Sequence, residues 1–117
     1  MNFLYGVIVI WNDTTLRIKQ VWEESCREMI SMAYIPTCTC GLEGVHSRNP
    51  ESGHPQGRSL DMRSKDVPFH LRMPLLHHAQ QKFGSDYLVL LEDDHYHIQR
   101  QHDSFGRPAA TPKSVEV

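Results

Sequence analysis

The sequence has few cysteines, no excess of positive charge and no hydrophobic run long enough to cross a bilayer. Its 117 residues include three cysteines, and 12 Lys and Arg stand against 14 Asp and Glu. An odd cysteine count argues against a secreted disulfide framework, and the net charge of −2 offers no basic surface for nucleic acid or anionic lipid. We therefore expect neither a nucleic-acid partner nor a membrane partner.

The longest apolar run, residues 3–11, is much shorter than the roughly 20 residues of a membrane-spanning helix. It also lacks the basic start of a signal peptide. We expect a protein that is cytoplasmic on synthesis and has no export signal of its own.

Histidine is what the sequence has in excess, since its eight histidines outnumber the seven glycines and seven prolines. The length suits one domain with an ordinary core. We find no internal repeat, and from about residue 103 the chain has no hydrophobic periodicity. The expected organisation is a single domain over residues 1–102 followed by a flexible tail over 103–117.

The hydrophobic periodicity predicts an α+β fold with a small antiparallel sheet and two main helices. Period-two alternation indicates strands, and apolar residues at steps of three and four indicate helices. Residues 41–57 are predicted to form a long turn-rich loop. Loops of this length inside a compact domain more often have a function than not. The predicted strands are 3–11, 37–40, 59–63, 87–91 and 95–99, and the predicted helices run from the caps at 12–14 to about 34–36 and over 73–83.

Two short segments pair histidine with carboxylate, SGHPQGRSLD at 52–61 and EDDHYH at 92–97. On a strand, His95 and His97 point to the same face about 6.6 Å apart. Gly57 allows the chain to turn between His54 and Asp61. Two imidazoles and a carboxylate, with a fourth position left to water, are the ligand set of a catalytic zinc ion. The alternative is a solvated strand face whose histidines only satisfy local hydrogen bonds.

These segments resemble the zinc D-Ala-D-Ala carboxypeptidase and endolysin peptidase family, the LAS-type metallopeptidases, which are structurally related to the hedgehog domain. Residues 52–61 match the family motif SxHxxGxAxD except at its alanine, which Ser59 replaces. Residues 92–97 contain both forms of the second motif, ExxH and HxH. The resemblance covers roughly residues 15–99 and is to compact phage and prophage members.

The resemblance implies a zinc site on the sheet, with His54, Asp61 and a histidine of the second motif as ligands. The HxH form selects His97 and the ExxH form selects His95, and we favour His97. Glu92 or His95 then handles protons. On a regular strand Glu92 would face away from His95, so Glu92 reaches the site only if the segment between them bends.

The resemblance also implies that an arginine holds a substrate carboxylate. Arg48 is the arginine of the long loop, although it lies nearer to the first motif than the family's arginine does, and Arg58 or Arg63 could serve instead. Ser52, the first residue of the motif, is the other expected substrate contact.

The expected function is that of a zinc metallopeptidase, which would hydrolyse peptidoglycan peptides as a D-Ala-D-Ala carboxypeptidase or an endolysin-type endopeptidase. Such an enzyme would act on the cell wall after release, in a phage or prophage context. Two alternatives stay open: a catalytically silent metal-binding domain with a binding or assembly role, and a purely structural domain. The sequence does not indicate an oligomeric state.

Overall fold

The structure, a computed structural model, describes residues 1–42 and 57–101. Within these ranges the chain forms an α+β fold with two helices and a five-stranded sheet, which confirms the predicted fold class. A short 3₁₀ turn at Phe69–Leu71 leads into the second helix. In chain order the elements are β1 (Asn2–Phe3), α1 (Asp13–Met29), β2 (Thr37–Cys40), β3 (Ser59–Arg63), α2 (Arg72–Phe83), β4 (Tyr87–Leu91) and β5 (His95–Arg100).

The sheet is mixed, whereas the sequence predicted an antiparallel one. Its strand order is β1-β2-β3-β5-β4, and β1 pairs parallel to β2 while the other pairs are antiparallel. The reason is the connection: the chain leaves β1, crosses through α1 and returns as β2, and a helical crossover of this kind joins parallel strands. The prediction was wrong for this edge of the sheet only.

The predicted buried strand over residues 3–11 is also wrong. Only Asn2–Phe3 pairs with the sheet, and the chain turns at Gly6, whose φ of 87° is open to glycine but strained for other residues. Beyond this turn the side chains of Ile8 and Ile10 are 58% and 49% exposed. The run has the composition of a strand, but the turn removes it from the sheet.

The first helix ends at Met29, about five residues before the predicted end. The helix does not continue to the predicted end because the chain turns between Ser31 and Tyr34, and Met32 is 80% exposed. The second helix spans Arg72–Phe83, within one residue of the prediction. The structure therefore confirms that both predicted helices are present and are α-helices.

The core lies between the two helices and one face of the sheet. Trp22 of α1 is fully buried and packs on Tyr96 of β5 with ring centroids 4.6 Å apart. Alternate residues of a strand face opposite sides, so Leu60 and Met62 join Tyr96 in the core. The residues between them, Asp61 on β3 and His97 on β5, are left on the other face of the sheet. In the described part of the chain, no helix is long and apolar enough to cross a membrane.

Asn12 connects the start of α1 to the segment that leads into β3. Its Oδ1 accepts a hydrogen bond from the Thr15 backbone N–H at 2.9 Å, which completes a capping box. Its Nδ2 donates to the Gly57 carbonyl at 2.8 Å. One side chain thus caps the helix and holds the strand that carries Asp61.

Replacing Asn12 should separate these two roles. Asn12→Ala loses both contacts and should lower the free energy of unfolding by about 2 kcal/mol, whereas Asn12→Asp keeps the cap and should cost about 1 kcal/mol. Urea denaturation of both variants measures the difference. Equal losses in the two variants would mean that the cap contributes nothing.

Candidate functional site

The site is built on the strand pair β3 and β5, on the face opposite the helices. In the antiparallel register Asp61 lies directly opposite His97, and Arg63 lies directly opposite His95. All four residues therefore project from the same face of the sheet. The expectation that His95 and His97 share one face is confirmed, and Asp61 lies beside them.

Asp61 and His97 form the closest pair of the site. The carboxylate Oδ1 of Asp61 is 2.9 Å from Nδ1 of His97, and the other ring nitrogen, Nε2, is 3.0 Å from Oε1 of Gln99. Asp61 is only 8% exposed. Both nitrogens of this partly buried imidazole thus face oxygen atoms.

His95 has the same kind of surroundings at the rim of the site. Its Nδ1 is 2.9 Å from Oδ1 of Asp94, and its Nε2 is 2.9 Å from Oε1 of Glu92. The second carboxylate oxygen of Asp61, Oδ2, lies 3.6 Å from the same Nε2. Asp61 therefore stands between the two imidazoles, and Glu92 contacts the outer one.

Glu92 reaches His95 because the chain turns tightly between them. The backbone N–H of Glu92 donates to the His95 carbonyl at 2.8 Å, so the two residues face each other across a hairpin with Asp93 and Asp94 at its tip. Residues directly opposite one another in a hairpin share a face of the sheet. The bend that the sequence required for this contact is present.

These contacts raise the pKa of both imidazoles. Burial opposes the charged form of His97, but the hydrogen bonds to Asp61 and Gln99 outweigh it and raise the pKa. For His95, burial is likewise outweighed, here by the hydrogen bond to Asp94 and the charges of Asp61 and Glu92, and its pKa is raised as well. Protonation of each ring then stabilises the metal-free fold below the unfolded-state pKa near 6.5. That stabilisation is lost as the pH rises through the folded-state pKa.

The arrangement favours a positive charge at the site. A neutral imidazole donates a hydrogen bond from one nitrogen only, and its other nitrogen has a lone pair. In His97 that lone pair would point at an oxygen atom, which is repulsive unless a proton or a metal cation lies between them. The same holds for His95, so each ring is placed to be an imidazolium ion or the ligand of a cation.

The donor types and spacings are compatible with zinc. Zinc takes imidazole nitrogen and carboxylate oxygen, and in a tetrahedral site with bonds of 2.0–2.2 Å the donor atoms lie about 3.4 Å apart. The separations from Asp61 to His97 and His95, 2.9 Å and 3.6 Å, lie on either side of that value. Within residues 1–42 and 57–101, however, no group of three or more His, Cys, Asp or Glu is arranged to hold a metal ion.

Several predicted site residues lie outside the described residues. They are the expected zinc ligand His54 and the expected substrate contacts Arg48 and Ser52. Of the seven residues predicted for the site, the structure therefore brings together the other four, Asp61, Glu92, His95 and His97.

The two alternative arginines have different surroundings. Arg58 is buried, and its guanidinium donates to the Arg100 carbonyl at 2.7 Å, which ties it to the backbone of β5. Arg63 lies opposite His95 and lines a small surface cavity with Lys65 and Asp94. Of these two, Arg63 is the one that flanks the imidazole cluster.

Sequence reasoning missed Gln99 and Ser59. They face each other in the register of β3 and β5, two positions along from Asp61 and His97 and on the same face of the sheet, and the Ser59 hydroxyl donates to Oε1 of Gln99 at 3.2 Å. The available signal was the alternation itself, since Gln99 follows His95 and His97 at every second position of one strand.

Comparison of the chain with protein-family models, with curated proteins and with solved structures finds no match.

Proposed function

We propose that this protein is a zinc-dependent peptidase that hydrolyses peptide bonds of bacterial peptidoglycan, as a D-Ala-D-Ala carboxypeptidase or an endolysin-type endopeptidase. One observation carries the proposal: the Asp61 carboxylate lies between two imidazoles, 2.9 Å from His97 and 3.6 Å from His95. Each of these imidazoles has oxygen acceptors at both of its nitrogens.

The zinc site would use Asp61 and His97, with His54 as the third protein ligand that the motif resemblance implies. His97 is preferred over His95 for three reasons. It lies directly opposite Asp61 in the sheet, its side chain is more buried, and its nitrogen is closer to the carboxylate. Zinc, when bound, supplies Lewis-acid polarisation of the scissile carbonyl and activation of water at neutral pH.

Glu92 is the proposed general base. Its carboxylate is half exposed, so water reaches it, and its hydrogen bond to Nε2 of His95 holds it beside Asp61 without placing it among the ligands. In this role Glu92 takes the proton of the attacking water and returns it to the leaving amine. His95 orients Glu92, and the contact with Asp94 on the opposite side of its ring fixes that imidazole in turn.

The substrate class rests on the resemblance of residues 52–61 and 92–97 to the family motifs. Arg63 supports it, because a guanidinium beside the cluster can bind a peptide carboxylate with two parallel hydrogen bonds. A peptide with a free carboxylate near the bond that is cut would then lie along the outer face of β3 and β5.

Elemental analysis of the purified protein, followed by mass spectrometry of the products from digested peptidoglycan, tests the proposal. We expect about one zinc ion per chain and cleavage of stem peptides or of short D-Ala-terminated peptides. Zinc without any product would instead indicate the catalytically silent metal-binding domain. If zinc is absent, and His54→Ala and His97→Ala behave as wild type, the histidines are structural.

A further inference from the structure

A small cavity adjoins the imidazole cluster on the outer face of the sheet. We propose that this cavity is a carboxylate-binding subsite for the substrate peptide, with the side chains of Arg63 and Lys65 as its two cations. The substrate in this statement rests on the proposed function, but the binding of a carboxylate does not. The residues that line the cavity are Leu4, Thr39, Arg63, Lys65 and Asp94.

The charges of the lining favour an anion. Two cationic side chains stand against one carboxylate, that of Asp94. This carboxylate is already engaged, because its Oδ1 lies 2.9 Å from Nδ1 of His95. Within residues 1–42 and 57–101 neither Arg63 nor Lys65 forms a salt bridge, in contrast to Lys19, which pairs with a glutamate on α1. The cavity therefore presents positive charge that an anionic ligand can neutralise.

The size of the cavity suits one group of a ligand and not a whole peptide. Its volume of about 120 Å³ is below the roughly 300–1,000 Å³ of pockets that enclose an entire small molecule. Leu4 supplies an apolar wall. The Thr39 hydroxyl lies 3.5 Å from the Asp61 carbonyl, which is long for a hydrogen bond, so it can turn to a ligand oxygen. A carboxylate on a short carbon chain would use the cations, the hydroxyl and the apolar wall together.

The backbone that carries the two cations is fixed. Arg63 is the last residue of β3, and Lys65 follows it in a turn. The Val67 N–H closes this turn by donating to the Ser64 carbonyl at 3.0 Å. Arg72 braces the same turn, since its guanidinium donates to the carbonyls of Lys65 and Val67 at 3.1 Å and 3.0 Å. Cations on an ordered backbone bind an anion at a smaller entropic cost.

The position of the cavity indicates which carboxylates can reach it. Arg63 is two residues beyond Asp61 on the same face of β3, so their Cα atoms are about 6.6 Å apart. An extended peptide advances about 3.3 Å per residue. A carboxylate in the cavity therefore belongs to a residue one or two positions from the bond that is cut. It is either the C-terminus of the peptide or the side chain of a neighbouring residue.

Peptide binding to the full chain, as purified and after treatment with a chelator, tests the subsite apart from catalysis. The probe is a short peptide acid that ends in D-Ala-D-Ala and contains one glutamate. Three companions carry a C-terminal amide, a glutamine in place of the glutamate, or both changes. Affinities come from NMR titrations that follow the amide signals of Thr39, Arg63 and Lys65. We expect the peptide without either carboxylate to bind about 10-fold more weakly than the peptide acid. The single change that causes this loss identifies the bound carboxylate.

Variants of the lining separate the effect of charge from a general loss of structure. Arg63→Gln should weaken binding of the peptide acid about 10-fold, because a guanidinium can make two parallel hydrogen bonds to a carboxylate, and Lys65→Gln should weaken it about threefold. Asp94→Asn removes the negative charge of the lining and should instead tighten binding about twofold. Lys19→Gln on α1, at the opposite face of the sheet, is the matched control for the lysine variant and should bind as wild type.

The proposal is overturned if the peptide without either carboxylate binds as tightly as the peptide acid. It is also overturned if Lys65→Gln binds the peptide acid as wild type does, or if Asp94→Asn weakens binding as much as Lys65→Gln. Lys65 is exposed, so its variant should fold even where Arg63→Gln does not. If the carboxylate binds as expected but the protein holds no zinc and releases no product, the proposed function fails and the subsite stands. If peptides are hydrolysed but their carboxylates do not affect binding, the subsite fails and the proposed function stands.

Discussion

Replacing Asp61 by asparagine is expected to abolish zinc binding and to slow peptide hydrolysis by about 10³-fold or more. The substitution keeps the shape of the side chain but removes the negative charge that both imidazoles face. Zinc would lose its only carboxylate ligand among the residues proposed for the site. The large effect thus comes from one charge at the centre of the cluster.

The Asp61→Asn variant should still fold. Removing one partner of a buried ion pair is costly when the other charge has to stay buried. His97 can instead lose its proton, and the remaining neutral ring keeps its hydrogen bond to Gln99. We therefore expect a cooperative unfolding transition in urea with only a modest loss of stability.

Zinc content by elemental analysis and the rate of peptide hydrolysis measure the effect, with Asp93→Asn as the matched control. Asp93 is an exposed carboxylate at the tip of the nearby hairpin, so its replacement should leave zinc content and rate as in wild type. A zinc affinity that is unchanged in Asp61→Asn would remove Asp61 from the metal site.

The sequence was most informative where local pattern and burial agree. Strands β3 and β5 alternate apolar and polar residues, which predicted both as strands, and in the structure the same alternation buries Leu60 and Met62 in the core and leaves Asp61 on the outer face. In the segment 3–11 the local sequence pattern and the burial seen in the structure do not agree. It is apolar throughout, and composition alone does not reveal that Gly6 turns the chain away from the sheet.

The parts of the site that could not be predicted depend on pairing between distant residues. Gln99 faces Ser59 only because of the register of β3 and β5, which is determined by tertiary packing and not by either strand alone. Likewise, the reach of Glu92 depends on the length of the turn between β4 and β5. A longer turn would separate it from His95.

Replacing Glu92 by glutamine should lower the rate of hydrolysis by about 10²–10⁴-fold while leaving one zinc ion bound per chain. Glutamine retains the size of the side chain and can still hydrogen-bond to His95, but it cannot accept a proton from water. Zinc should stay because Glu92 contacts His95 and not the Asp61–His97 pair. Retained metal with lost turnover is the expected signature of a general base.

The same variant discriminates between the two forms of the second motif. If Glu92→Gln stays active, proton transfer belongs to His95, whose Nε2 lies 3.6 Å from Asp61 and faces the same space. His95→Gln should then abolish turnover with zinc retained. If His95→Gln instead removes the metal while His97→Gln does not, His95 is the third ligand. Glu92 and His95 would then act as the ExxH form implies, with the glutamate as base three residues before its metal ligand.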